Sequence, residues 1–106
     1  MITNYFEKHD FTKLEKYITD YRELKQDLQN EIYSGNKEYN VRCIVEGFEE
    51  TYNQCSETLK KIIQLTWLNE RESDDVICKV LDISDRKLNS TRNKILLKFA
   101  DAIGYA

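Results

Sequence analysis

Proline is absent from the sequence and glycine occurs only three times, so little interrupts a helix once it has begun. Histidine occurs once, as His9, and the three cysteines, Cys43, Cys55 and Cys78, are far apart with no CxxC pair. A structural zinc site needs four ligands at tighter spacing, which sets a metal aside and leaves free, buried thiols in a reducing cytosol as the reading. No apolar stretch approaches a membrane span, and the N-terminus has no apolar core flanked by positive charge. A soluble cytoplasmic protein, with no membrane partner, is expected. There is no glycine-rich loop to cradle a nucleotide phosphate. Ser, Cys and His form no nucleophilic set, and the neighbouring carboxylates Asp74 and Asp75 have neither a cleft nor a partner base. Neither an enzyme nor a cofactor is expected.

What is present points to helices. The chain has 106 residues, of which 41% are hydrophobic and 33% charged, enough for one domain or one domain with a helical appendage. Seven tyrosines, many on apolar rows, can bury a ring and leave the hydroxyl wet. The fold class is all-α. The formal net charge of −3 argues weakly against nucleic acid, but it is unevenly spread. Residues 1–55 carry seven basic and eleven acidic side chains, whereas residues 56–106 carry nine and eight. Phosphate responds to local potential over roughly 8 Å at physiological salt, so an acidic front half is compatible with a basic element further on.

In chain order, Met1–Asp10 is a polar lead whose Tyr5 and Phe6 either dock on the bundle or fray; His9 is a surface residue. A long N-terminal helix is expected over Phe11–Tyr33, capped by Asp10, with Leu14, Tyr17, Ile18, Tyr21, Leu24, Leu28 and Ile32 forming one apolar stripe. That stripe packs on the protein's own second helix or, as the less favoured alternative, forms a coiled-coil dimer. Ser34–Lys37 is the clearest break, with Gly35 ending the helix in a left-handed conformation and a loop running to Asn40. Residues 1–40 are thus read as a helix plus linker for packing or dimerisation, and 41–106 as a helical domain. Val41, Ile44, Val45, Phe48 and Tyr52 resume a helical pattern, in which Gly47 allows close approach of a neighbour.

The stretch from Glu57 to Ala102 carries the function. Leu59, Ile62, Ile63, Leu65, Trp67 and Leu68 form the inner face of one helix capped by Ser56. After a turn at residues 68–73, capped by Ser73, Val76, Ile77, Val80 and Leu81 form a shorter one; Asp74 and Asp75 suit its N-terminal dipole. Leu88, Ile95, Leu96, Phe99 and Ile103 line a third. Asp82-Ile83-Ser84 lies between the last two, with Ser84 as N-cap and Ile83 plugging the angle. A short helix, a three-residue turn and a longer helix make a helix-turn-helix over 73–103, with a recognition helix at about 85–102. From Arg86 to Lys98 every charged residue is basic (Arg86, Lys87, Arg92, Lys94, Lys98), interleaved with Asn89, Ser90, Thr91 and Asn93. The plainer alternative is the solvated face of an amphipathic helix.

The run IIQLTWLNERESDDVICKVLDISDRKLNSTRNKILLKFADAIG resembles the C-terminal part of RinA/ArpU-type phage transcriptional regulators, including late-transcription activators. That part is in turn similar to the fourth region of bacterial sigma factors. Trp67, the Ile77 to Leu81 helix, the Ile83-Ser84 turn, Ser84-Asp85-Arg86 and Lys94-Ile95-Leu96 carry the resemblance. It implies a sequence-specific activator of phage late genes bound to double-stranded promoter DNA. Ser84 begins the DNA-binding set; Arg86, Lys87, Asn89, Ser90 and Asn93 are the base-edge candidates. Arg92, Lys94 and Lys98 meet phosphates or in part face the bundle. RNA polymerase, a homodimer partner, and a phage or satellite-encoded regulatory protein are the further partners considered. In two departures, Asp82 stands where such turns often carry Gly, and Asp85 puts an acid at the tip of the recognition helix. The acidic balance of the chain and Asp85 motivate an alternative, a protein-interaction module on a helix-turn-helix scaffold that modulates another late-transcription regulator. A DNA-packaging recognition subunit is a third possibility.

Overall fold

The computed structural model describes residues 6–69 and 72–105, and every regular element among them is a helix. α1 spans Lys8–Thr19, α2 Tyr21–Gln29, α3 Gly35–Asn53, α4 Glu57–Ile63, α5 Asp74–Leu81 and α6 Asp85–Ile103. A wider π-type turn, Gln64–Leu68, continues α4. Among the described residues no helix is long and apolar enough to cross a membrane.

The single long helix expected over Phe11–Tyr33 is two helices. Glu7 is the N-cap, and its amide donates to the Asp10 carboxylate at 2.8 Å, so Asp10 works from the first turn rather than as the cap. The break falls at Asp20, whose φ of −88° and ψ of 0° lie outside the helical well. Aspartate is a weak helix former, so a break costs little at this position. Bending divides the apolar stripe. Leu14 and Ile18 are fully buried where α1 packs on α6 and the π-turn, whereas half-buried Tyr21, Leu24 and Leu28 lie on α2, which packs on α3. Burying one such aliphatic side chain contributes roughly 1.5–3 kcal/mol, more than an exposed ion pair at about 0–1 kcal/mol. The Lys16–Asp20 pair at 3.0 Å therefore decorates the break and does not cause it. Ile32, expected at the end of the stripe, is 62% exposed because the helix has already ended.

Three helices stop by the same means. In α2, Glu31 (φ 56°) turns left-handed, and the Ile32 amide reaches back to the Asp27 carbonyl at 3.1 Å. In α5, Asp82 (φ 55°) does so, with the Ile83 amide on the Cys78 carbonyl at 3.0 Å. In α6, Gly104 (φ 71°) does so, with the Tyr105 amide on the Ala100 carbonyl at 2.9 Å. Only the last uses glycine. Gly35 does have a left-handed φ of 60°, but it opens α3 behind Ser34 and does not end the first helix. The loop expected as far as Asn40 is the first turns of α3, and the boundary at residue 40 falls inside that helix. Leu14 and Ile18 belong to the same buried cluster as Phe48, Ile63, Trp67 and Phe99.

α6 is the axis of this cluster. α3 crosses it so closely that a Cβ at Gly47 would collide with Ile103 Cγ2 and lie 3.3 Å from the Ala102 carbonyl carbon. The neighbouring Phe48 ring meets Tyr21 at 4.6 Å and Phe99 at 6.1 Å between centroids. Past the end of α6, the Tyr105 ring packs edge-on against Phe6 at 5.6 Å, and its hydroxyl donates to Asp10 Oδ1 at 2.6 Å. Phe6 thus docks; Tyr5 lies outside the described residues.

Two outcomes are expected from this packing. Gly47→Ala gains up to about 1 kcal/mol of helix propensity but overpacks the crossing at about 1–3 kcal/mol, so its urea midpoint should fall. A raised midpoint would mean that α3 and α6 can part freely. The Tyr105–Asp10 bond sets a pH window. Tyr105 is pushed up to about 12, chiefly by this bond, and Asp10 is held below the ordinary carboxylate value of 3.8 by the same bond. The raised phenol contributes fully below about 10 and loses its contribution as pH rises through about 12. The depressed carboxylate contributes above 3.8 and loses its share as pH falls through its lower folded value. The stability difference between wild type and Tyr105→Phe should therefore be largest between those limits and shrink at both ends in a pH series of denaturant midpoints.

Candidate nucleic-acid interface

α4, α5 and α6 each begin at a serine whose hydroxyl accepts from the amide three residues on. Ser56 Oγ takes the Leu59 amide at 3.3 Å, Ser73 Oγ the Val76 amide at 3.3 Å and Ser84 Oγ the Lys87 amide at 3.1 Å. All three caps stand where the sequence places them. Within the turn leading to Ser73, Glu70 and Arg71 lie outside the described residues.

α5 lies on α6 through Ile77, which is fully buried, and Leu81, which is half-buried. The expected four-residue inner row is thereby corrected, because Val76 and Val80 are 40% and 57% exposed. The reason is rotational. Asp74 pairs with Arg92 at 2.9 Å, and the Cys78 thiol donates to Asp85 Oδ1 at 3.3 Å. Positions 74, 77, 78 and 81 share one side of a helix, so contacts at 74 and 78 turn Ile77 and Leu81 inward and Val76 and Val80 outward. Burial first, and then the Asp85 carboxylate, raise the Cys78 thiol above its ordinary value and keep it a donor. Ile83 is half-buried beside the core, as expected of a plug in the turn.

In the front half of α6, Leu88, Thr91 and Ile95 face inward and are buried. Arg86, Lys87, Asn89, Ser90, Asn93 and Lys94 are exposed, and none of their side chains has a hydrogen-bond or ion-pair partner among the described residues. Helical spacing puts Arg86, Ser90, Asn93 and Lys94 on one continuous outer face, flanked by Lys87 on one edge and Asn89 on the other. Lys98 is exposed as well, but it stands toward the Cys55 thiol at the α3–α4 junction, apart from the front of the helix.

Arg92 is different. Its side chain is only 14% exposed; the guanidinium holds Asp74 at 2.9 Å and Thr66 Oγ1 at 3.2 Å. Of the two roles open to it in the sequence, facing the bundle is the one realised. Arg92 thus ties α5 and the π-turn to α6. The π-turn is fastened on its other side by Trp67 Nε1 donating to Glu15 at 3.0 Å. Sequence reasoning missed buried Thr91 and the clamp by Arg92. The signal available was faint: Asp74 opens α5 and Arg92 lies two turns into α6, opposite charges on two adjacent helices.

No group of three or more metal-ligating side chains is placed to hold an ion among the described residues. Compared with known protein families, curated proteins and solved structures, the chain matches none.

Asp82 is a test of the turn. An L-residue in a left-handed conformation is strained, less so for aspartate than for most, and glycine relieves the strain. Asp82→Gly is expected to raise stability by about 0.5–1 kcal/mol in urea titrations. A loss would show that the Asp82 side chain contributes more than its backbone costs.

Proposed function

We propose that the protein is a sequence-specific regulator of transcription that binds double-stranded DNA, with the front half of α6 in the major groove. One observation carries this reading: the outer face of α6 from Arg86 to Lys94 is exposed, unpartnered and without a single acidic side chain, on a helix held firmly from behind. Thirteen residues from Arg86 to Lys98 extend about 18 Å, and a major groove about 12 Å wide admits a helix. Arginine and asparagine at the groove floor read base edges, while Lys87 and Lys94 suit the phosphates that flank it. Asp85 would repel phosphate if it pointed outward, but it accepts from the Cys78 thiol on the α5 side. The resemblance of residues 62–104 to RinA/ArpU-type regulators narrows the proposal to an activator of phage late genes, with RNA polymerase as a further partner.

Val76 and Val80, exposed at adjacent turns of α5, favour a second reading in which the helix-turn-helix binds a protein instead. The two separate by salt dependence. On a labelled promoter duplex, Lys87→Ala and Lys94→Ala should each weaken binding and lower the slope of log affinity against log salt by about one when a phosphate contact is lost. Arg86→Ala and Asn93→Ala should instead relax discrimination between sequences by roughly 1–3 kcal/mol. Arg92→Ala should leave the salt slope unchanged but lower the denaturation midpoint. Binding that ignores salt, or an equal response to all of these variants, would remove the DNA reading.

A further inference from the structure

A second surface lies at the far end of α6. The last turn of that helix and α3 enclose an open groove of about 690 Å³, whose floor is the crossing of Gly47 with Ala102 and Ile103. Cys43 and Ile103 are half-buried along it, and Tyr39, 68% exposed, stands at one end with its hydroxyl against the Cys43 thiol. Tyr39, Cys43, Glu46 and Glu50 follow one another at four, three and four residues, the spacing of a seam along one helix face. The exposed Tyr39 ring and the half-buried Ile103 give the groove a small apolar strip between polar edges.

The rim is acidic and uncompensated. Glu46 and Glu50 on α3 and Asp101 on α6 line the groove, and none of the three has a side-chain partner among the described residues. Nearby acids are paired: Glu38 with Arg42 at 2.8 Å and Glu49 with Lys25 at 2.6 Å. Three free carboxylates around an apolar floor disfavour nucleic acid. They also set the complement, a seam of apolar side chains flanked by Lys or Arg. A second copy offers no three-turn seam of this kind: the outer face of α6 is polar through Ser90 and Asn93, and the apolar pair Val76 and Val80 on α5 covers two turns only, with Asp75 beside Lys79.

We propose that the α3–α6 groove docks a basic amphipathic helix of a partner protein. Its apolar edge would lie on Tyr39, Cys43 and Ile103, and its cations would meet Glu46, Glu50 and Asp101. The seam from Tyr39 to Glu50 is about 16 Å long, which fits roughly three turns of partner helix. The groove sits at the opposite end of α6 from Arg86, so a partner seated there leaves the basic face open. This proposal does not rest on DNA binding.

The test titrates the full chain, without nucleic acid, with a synthetic helix of about three heptads carrying Leu at the seam and Lys elsewhere. A second peptide with Glu in place of Lys is the control. Amide shifts read by NMR should concentrate at residues 39–50 and 101–104 for the Lys peptide and be absent for the Glu peptide. Glu46→Lys with Glu50→Lys and Asp101→Lys should weaken binding by roughly tenfold or more. The milder Glu46→Gln with Glu50→Gln should weaken it less and keep a wild-type circular dichroism spectrum. Shifts centred elsewhere, equal binding of both peptides, or charge-reversed protein that binds as wild type would each overturn the proposal. So would a concentration-dependent dimer, lost in the charge-reversed variant, since the groove would then belong to a second copy.

Discussion

α6 has to serve two surroundings at once, and the rest of the molecule is arranged around that demand. Its rear half is enclosed by α1 and α3, with Phe99 fully buried and Gly47 removed to a hydrogen so that α3 can come close. Its front half is held by α5 and by Arg92, which reaches Asp74 and Thr66 of the π-turn. A helix gripped along its whole circumference could not offer a face to a partner, and one gripped nowhere would fray, because most helical stability in a protein comes from packing.

The grip on the front half is partly ionic. Arg92 spends its charge on Asp74 and its Nε–H on Thr66, a tie between three elements made where the guanidinium is nearly enclosed. Arginine suits this task because its rigid, planar fork presents Nε–H and Nη–H to two acceptors in fixed directions. The consequence is a division of labour among five similar-looking cations. Arg86, Lys87 and Lys94 carry unpaired charges on the outer face, Lys98 stands toward the rear, and Arg92 holds the scaffold. The acids divide in the same way: Asp74 and Asp85 are engaged between α5 and α6, while Glu46, Glu50 and Asp101 gather unpaired at the opposite end.

Local devices were legible in the sequence. Ser56, Ser73 and Ser84 cap their helices because a serine hydroxyl needs only the next three residues to find its partner. Gly47 as a point of close approach was readable because a glycine inside a helix costs stability that packing must return. The ends of α2 and α5 were not, since Glu31 and Asp82 adopt a conformation that composition assigns to glycine. Gly35 misled for the complementary reason: its left-handed φ serves the entry to α3. The row through Val76 and Val80 failed because apolar identity does not reveal how a short helix is rotated about its axis.

The sequence by itself determined that the chain would be helical, where three of its helices begin, and that a basic run would lie on the outside of the last one. Those properties follow from periodicity, serine caps and the spacing of charge, all interactions within a few residues. Tertiary structure alone decided that the first stripe bends at Asp20, that Arg92 turns inward while Arg86 and Lys94 remain free, and that three carboxylates meet over the end of α6. Each of these depends on which helix lies against which, and contacts between residues dozens of positions apart leave no periodic trace in the chain.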